Sequence, residues 1–465
     1  MRKESENVSL KYFGTDGFRG EYGTELTDGH AEAIGRFLGT YYGGSEAEIL
    51  IGHDTRASSP LLESALIRGI TSAGGTAFRL GVFPTPAVSF MTKHSGADAA
   101  VMITASHNPA SDNGIKIFDE RGEKLSDEII AICEKFIDEK EKISKAEDLI
   151  KEDASVDGAK FVNVQHLIMR WEKQMISSTD GLDGLKIGLD CANGATYDAA
   201  PRIFKALGAK VYTIGTSPDG ENINHEVGST HPEALATMVR QEGLDMGFAF
   251  DGDGDRCIAV DRSGRIIDGD GEMFILAKDM MTAGTLKDRT VVCTIMSNGG
   301  FIKSLEKIGI KCEITPVGDR FVFEKMKECG ATLGGEQSGH IITENSDGGN
   351  GIYTAIRIAE ISKATGKSLL ELADGLTVFP QITRNVKVAN KELVMQDKAL
   401  IEAVNSASAE IGDLGRIVLR PSGTENLIRL MIEHENYNKC KLYIEKIAKT
   451  IKERGDVPKN ENQEH

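Results

Sequence analysis

The sequence predicts an α/β fold: three successive α/β units on parallel or mixed sheets, then a smaller α+β unit. Three observations predict it. Strand-like apolar runs alternate with helix-like segments through most of the chain, which favours sheets covered by helices. The alternation restarts twice and then changes character near the end. The length of 465 residues suits three or four domains, at roughly 100–200 residues each.

The elements follow in order. Glu48 to Ile51 (EILI) reads as a strand and Ser58 to Ser72 as the helix after it. Thr76 to Val82 and Ala99 to Thr104 read as two further buried strands. The second set starts with a strand at Leu185 to Leu189 and turns through CANGATYDAA into a helix ending near Leu207-Gly208. Strands at Val211 to Ile214 and Met246 to Phe250 complete it. The third set has strands at Thr290 to Ile295, Lys311 to Thr315 and Ala331 to Leu333. The last stretch has strands at Ile382 to Val388, Arg416 to Leu419 and Leu427 to Ile432, and a closing helix at Asn438 to Glu453. The charged segment Glu139 to Asp157 parts the first two units. The resulting divisions are residues 1–155, 156–260, 261–374 and 375–458, with a disordered polar tail over 459–465. The units differ in length, so period alone does not make them repeats.

Composition narrows the function. Lys plus Arg number 54 and Asp plus Glu 71, for a net charge of −17. Such a chain is a poor nucleic-acid binder through its overall field, and that field repels anionic metabolites at long range. Seven cysteines with no CxxC pair argue against a disulfide framework or structural zinc and predict a reducing, cytoplasmic compartment. The start MRKESENVSL has no apolar core of a secretory leader, and no apolar run is long enough to span a membrane.

Four motifs carry chemistry. Thr104-Ala-Ser-His-Asn-Pro109 follows the apolar strand AAVMI, at the sheet edge where α/β proteins bind ligands. Ser106 is expected to sit exposed on that turn. His107 is adjacent, and neighbouring side chains are expected to diverge. A plain polar turn stopped by Asn-Pro is an equal reading. Asp251-Gly-Asp-Gly-Asp-Arg256 follows the strand end GFAF. Carboxylates at i, i+2 and i+4 converge on one side of the loop, and their repulsion calls for a cation, Mg²⁺ or Ca²⁺. An EF-hand is excluded, because Arg256 and Arg262 stand at its sixth and twelfth positions.

Gly334-Gly-Glu-Gln-Ser-Gly-His340 also follows a strand. Its Glu and Ser can grip sugar hydroxyls, which donate and accept; a structural turn competes. Arg420-Pro-Ser-Gly-Thr-Glu-Asn-Leu-Ile-Arg429 places two Arg around a hydroxyl-rich loop, the groups a phosphate needs. Gly366-Lys-Ser368 is not a P-loop, since Ile361 stands where the earlier Gly is required. No GxGxxG follows a strand and there is no HExxH.

In this order and spacing the four motifs resemble the α-D-phosphohexomutase family over nearly the whole chain. The resemblance implies a four-domain architecture, with three similar α/β domains and a C-terminal α+β domain around a central cleft. The opening Tyr12-Phe-Gly-Thr-Asp-Gly-Phe-Arg-Gly20, Asp190-Cys-Ala-Asn-Gly-Ala195, Asn222-Ile-Asn224, Gly228-Ser-Thr-His231 and Gln337 resemble the bacterial subgroup acting on glucosamine phosphates. That subgroup feeds UDP-N-acetylglucosamine and cell-wall precursor synthesis. The rival within the family is a phosphomannomutase/phosphoglucomutase. Outside it stand a metal-dependent phosphohydrolase and a sugar-phosphate sensor without turnover.

The resemblance assigns roles. Ser106 is the phosphoserine, and Asp251, Asp253 and Asp255 hold one Mg²⁺ together with an oxygen of its phosphate. Arg19, His107, Lys116, Arg256 and His340 are active-site cations or proton-transfer candidates, with His340, His107 and Lys116 rivals for general base. Glu336 and Ser338 contact sugar hydroxyls, and Thr315-Pro-Val-Gly-Asp-Arg320, with Gly318, Asp319 and Arg320, helps read the sugar. Arg420, Ser422, Gly423, Thr424 and Arg429 anchor the non-reacting phosphate, where Asn426 replaces the family's usual proline. A glucosamine or glucose 1,6-bisphosphate activator is implied, as are a small sugar phosphate partner, no nucleic acid and no membrane; a homodimer is left open. Arg19, Lys116, Arg256, Arg320, Arg420 and Arg429 are then expected to line a locally positive cleft inside an acidic exterior.

Overall fold

The computed structural model describes residues 10–144, 161–344, 346, 348–422 and 426–455. The tail 459–465, most of the segment 139–157, and Gly423 and Thr424 lie outside the described residues. Met1–Met296 with Ile310–Asp374 form one compact unit, and Ser297–Gly309 with Gly375–His465 another.

The first unit carries three mixed sheets among its described residues. Across the largest, the strands run Phe13–Gly14, Gly17–Glu21, Asp112–Asp119, Ala99–Ile103, Glu48–His53, Thr76–Val82 and Phe161–Asn163. Ala99–Ile103, Glu48–His53 and Thr76–Val82 are parallel, and Asp112–Asp119 pairs antiparallel with Ala99–Ile103. Every residue of Ala99–Ile103 is buried, so it reads as an unbroken apolar run. Ile49, Ile51, Val101 and Ile103 pack with Ile34, Phe37, Leu62 and Leu66 of the helices Asp28–Tyr41 and Ser59–Ser72.

The second sheet is built the same way. Lys210–Ile214, Lys186–Asp190 and Met246–Phe250 are parallel, and Cys257–Asp261 and Ile266–Ile267 are added antiparallel. In the third, Lys311–Thr315, Thr290–Thr294 and Leu333–Gly335 are parallel and Ile341–Thr343 is antiparallel. Each sheet thus presents the carboxyl ends of its parallel strands, followed by a turn and a reversing strand.

The reversing strands Asp112–Asp119, Cys257–Asp261 and Ile341–Thr343 were not expected, and three further strands sit elsewhere than the expected divisions and positions put them. Phe161–Asn163 pairs with Thr76–Val82 in the first sheet, although the division at 155/156 gave it to the second unit. Ile266–Ile267 joins the second sheet, beyond the division at 260/261. The strand expected at Ala331 to Leu333 lies at Leu333–Gly335, because the two glycines take the ladder positions opposite Ile341 and Ile342.

The second unit is α+β. Gln381–Lys387, Leu427–His434 and Gly415–Pro421 form an antiparallel sheet, with Leu427–His434 in the middle. Ile428, Leu430 and Ile432 pack with Leu400 and Ile411 of one helix and Ile444, Ile447 and Ile451 of another. Among the described residues, no helix is long and apolar enough to cross a membrane, and all seven cysteines are free.

Candidate active site

Turns after three strands of the first unit meet. Ser106 lies just past Ala99–Ile103, Asp251 directly follows Met246–Phe250, and Glu336 directly follows Leu333–Gly335. Ser106 is fully buried, not exposed as expected, because the acidic turn packs over it, and its hydroxyl donates to Asp251 Oδ2 at 2.6 Å. Its backbone is left-handed, φ 51°. That conformation corrects the expected divergence of Ser106 and His107: it swings both side chains to one side, and Ser106 Oγ lies 3.2 Å from His107 Nδ1.

The acidic turn curls tightly. Gly254 has φ 72°, and its N–H donates to Asp251 C=O at 3.2 Å. Gly252 lets the two turns touch, since a Cβ there would stand 2.5 Å from the Ser106 carbonyl oxygen. Asp251, Asp253 and Asp255 are buried, with ligand-capable oxygens all within 4.8 Å of one another. Asp253 Oδ1 and Asp255 Oδ1 have no hydrogen-bond partner among the described residues. Burial, then Asp255 and Asp253, push the Asp251 carboxyl well above its usual range. Three buried carboxylates with orphaned oxygens fit a hard divalent cation such as Mg²⁺.

A closed ring of alternating charge runs beside the triad and shares Asp255 with it. Lys116, 1% exposed, donates to Asp253 at 2.9 Å and Asp255 at 3.0 Å, and lies 3.3 Å from Asp16. Asp16 also holds Arg19 and Lys124. Lys124 reaches Asp319 at 2.7 Å. His340 closes the ring, with Nε2 3.7 Å from Asp319 and Nδ1 3.6 Å from Asp255. Burial would raise the Asp16 carboxyl, but Lys116, Lys124 and Arg19 outweigh it and hold it well below the usual range. A cavity of about 330 Å³ opens beside the ring, lined in part by Lys116, Lys124, Asp255, Asp319 and His340.

The two histidines titrate in opposite directions. Burial, then Arg256 and Arg19, lower His107 to about 4. Burial also acts against the His340 imidazolium, but Asp255, Asp319 and Glu336 overcome it and push the pKa up to about 9. Burial likewise opposes the Lys116 ammonium, yet Asp16, Asp253 and Asp255 raise its pKa well above the usual value. At neutral pH the metal-free site therefore holds a neutral His107 beside Ser106 and charged His340 and Lys116.

The expected sugar-reading groups divide. Glu336 Oε1 accepts the Gly318 N–H at 3.0 Å, which ties two of the expected loops together. Ser338 Oγ is buried without a hydrogen-bond partner among the described residues. Arg256 Nε lies 3.9 Å from Asp251 and from Asp255. Arg320 pairs with Asp127 and, at 2.9 Å, with Glu324, and lines the same cavity as Asp255 and His340.

In the second unit, Arg420 and Arg429 face each other as cross-strand partners. Burial, then the like charge of Arg429, pull the Arg420 pKa down. Like charges directly opposite on a sheet are unfavourable, and a bound anion relieves them. The Ser422 N–H donates to Leu427 C=O at 2.9 Å and its carbonyl accepts from Lys391 Nζ at 2.6 Å. The Asn426 carbonyl accepts the Val388 N–H at 3.0 Å, a bond that proline would keep.

Residues 10–144, 164–264 and 268–379 match the three alpha/beta/alpha domains of phosphoglucomutase/phosphomannomutase, and residues 384–450 match its C-terminal domain. The chain belongs to the phosphoglucomutase/phosphomannomutase family. The phosphoglucosamine mutase of Geobacillus kaustophilus is 48% identical to this phosphohexomutase, over 95% of this chain and 98% of that one. The phosphoglucosamine mutase of an Exiguobacterium species is 46% identical, over 95% and 98%. A solved phosphoglucomutase/phosphomannomutase family protein of Burkholderia thailandensis has the same fold, with a TM-score of 0.76, 24% identity, and coverage of 95% and 97%.

Four participants in this phosphohexomutase site escaped the sequence reading. Asp16 lies in the opening FGTDGFR, where only Arg19 was assigned a role. Thr85 donates to Asp253 Oδ2 at 2.6 Å and follows the strand Thr76–Val82, the edge position that singled out Ser106. Arg56 follows the strand Glu48–His53 in the same way. Lys124 had no signal, since it lies in an ordinary charged turn, RGEKLSD.

Proposed function

We propose that the protein is a phosphoglucosamine mutase, interconverting glucosamine 6-phosphate and glucosamine 1-phosphate. The observation that carries this reading is full-length kinship to phosphoglucosamine mutases combined with a buried serine hydroxyl set 2.6 Å from the acidic triad. Ser106 Oγ bears the transferable phosphate. The sugar 1-hydroxyl attacks it, the P–Oγ bond breaks, and glucosamine 1,6-bisphosphate forms. The bisphosphate then turns over, returns its 6-phosphoryl group to Ser106, and leaves as glucosamine 1-phosphate.

Asp251, Asp253 and Asp255 would hold Mg²⁺, which neutralises charge on the transferred group and the serine oxygen. His107, neutral at pH 7 and adjacent to Ser106, is placed to accept a proton. His340 and Lys116, both charged, are placed to donate hydrogen bonds to developing charge. Glu336 and Ser338 orient the sugar hydroxyls, and Arg420, Ser422 and Arg429, with Gly423 and Thr424 between them, anchor the idle phosphate. Arg420 and Arg429 read charge rather than ring, so one anchor serves both ends of the substrate.

A coupled assay across hexosamine and hexose 6-phosphates, with a trace of bisphosphate activator, tests this. Glucosamine 6-phosphate is expected to be turned over far faster than glucose or mannose 6-phosphate. Comparable rates would move the protein to the phosphomannomutase/phosphoglucomutase reading, and stoichiometric release of free phosphate to a hydrolase.

A further inference from the structure

Arg56 is a fully buried cation that touches none of the triad and no group assigned to substrate. It follows the strand Glu48–His53 and lies beside the Ser106 turn. A guanidinium has five N–H donors, and here each has an acceptor. Nε donates to Asp54 Oδ2 at 2.9 Å. Nη1 donates to the carbonyls of Pro109 and, at 2.9 Å, Asp112. Nη2 donates to the carbonyls of Ser106 at 3.1 Å and Asn108 at 2.9 Å. No donor is left for a phosphate, so Arg56 is no substrate ligand. Its fork is matched to the main chain of the reactive turn.

The other side of Ser106 returns to the same ion pair. The Ser106 N–H donates to Thr104 Oγ1 at 2.9 Å, and Thr104 Oγ1 donates to Asp54 Oδ2 at 2.7 Å. The N–H and the C=O of one residue are thus both tied to Arg56–Asp54. A third tie comes from the loop that follows the strand Lys210–Ile214. Asn224 Nδ2 donates to the carbonyls of Ser106 at 2.9 Å and Asn108 at 3.2 Å. Asn224 is itself left-handed, φ 58°.

We infer that Arg56 and Asn224 are positioning residues for the Ser106 hydroxyl. They hold the left-handed Ser106 backbone through its own carbonyl, and Asn224 links that backbone to the part of the chain that carries the acidic triad. A residue with positive φ lies outside the favoured wells, so without these ties the turn relaxes and Oγ leaves Asp251. The inference rests on the mutase reading for the consequence in turnover, but the anchoring itself is a property of the metal-free protein.

The test uses the full chain and two variants. Arg56→Lys keeps the charge beside Asp54 but offers at most three donors. Asn224→Gly keeps the positive φ without strain and removes only the amide. Hydrogen–deuterium exchange over residues 104–112 is the readout without turnover, and steady-state kinetics on glucosamine 6-phosphate the readout with it. In Asn224→Gly, exchange over 104–112 is expected to quicken while the rest of the chain keeps its protection. Its kcat is expected to fall roughly 10–100-fold, the scale of a misplaced reacting group, with KM within about twofold. Arg56→Lys is expected to move both readouts further in the same direction. Unchanged exchange over 104–112 in Asn224→Gly, or a KM that rises in step with the fall in kcat, would overturn the inference. A wild-type protein that isomerises no hexosamine phosphate would sink the mutase reading instead, and the exchange measurement would still decide the anchoring.

Discussion

Lys116→Met removes the one ammonium that meets three carboxylates, Asp16, Asp253 and Asp255, at 2.9–3.3 Å. At about 3 Å and an effective dielectric constant near 20, each contact amounts to about 5 kcal/mol of Coulomb attraction. The desolvation of a fully buried ammonium offsets much of that sum. Removing one partner of a buried charge cluster typically costs about 3–5 kcal/mol, and that loss is expected here in the metal-free protein. At roughly 1–2 °C per kcal/mol for a unit of this size, the midpoint of thermal unfolding drops by about 3–10 °C. The same substitution leaves the triad with unbalanced negative charge, so Mg²⁺ is expected to restore most of the lost stability in the variant and to shift the wild type less. The assay is thermal unfolding of both proteins in EDTA and across a Mg²⁺ titration. A deficit equal in EDTA and at saturating Mg²⁺, or one below about 1 kcal/mol, would refute the view that Lys116 and the cation share one set of carboxylates.

Other perturbations separate the parts of the site. Ser106→Ala is expected to abolish mutase turnover and to remove a mass of one phosphate from the intact active protein; near-normal flux would exclude Ser106 as the acceptor. His107 has a folded pKa of about 4 against an ordinary 6.5, so the folded state binds fewer protons between those values. Its contribution to stability is present above pH 6.5 and is lost as the pH falls toward 4, by about 3 kcal/mol at 1.36 kcal/mol per unit. His107→Gln is therefore expected to flatten the stability profile of the metal-free protein in that window, as read by urea unfolding at a series of pH values. Arg429→Ala is expected to raise KM for the sugar phosphate about 10–100-fold, the loss of one charge-assisted hydrogen bond. Its melting temperature should hold or rise, because a facing like charge has gone from Arg420.

The sequence made the buried parallel strands legible. Thr76–Val82 and Met246–Phe250 fall where their apolar runs place them. Strands that carry chemistry were hidden. Asp112–Asp119 is central and buried, yet its DNGIKIFD pattern holds Lys116 and acids at both ends, and charge suppresses the apolar signal. The four motifs were readable because each ends a strand with small and polar residues. The geometry within them was not: nothing in Ser106-His107 announces a left-handed residue, since that conformation is imposed from outside, by Arg56 and Asn224. The net charge of −17 misleads for a related reason. Beside the triad the acids share Lys116, Lys124, Arg19 and His340, and a sum over the chain cannot see a ring.

The positive φ of Ser106 also decides which amino acid can serve there. Threonine carries the same hydroxyl and forms the same phosphate ester. Its branched Cβ, however, crowds the preceding and following peptides in the left-handed region, where β-branched residues are genuine outliers. The preference for serine at this position is therefore written in the backbone, and the chemistry of phosphoryl transfer is indifferent to it.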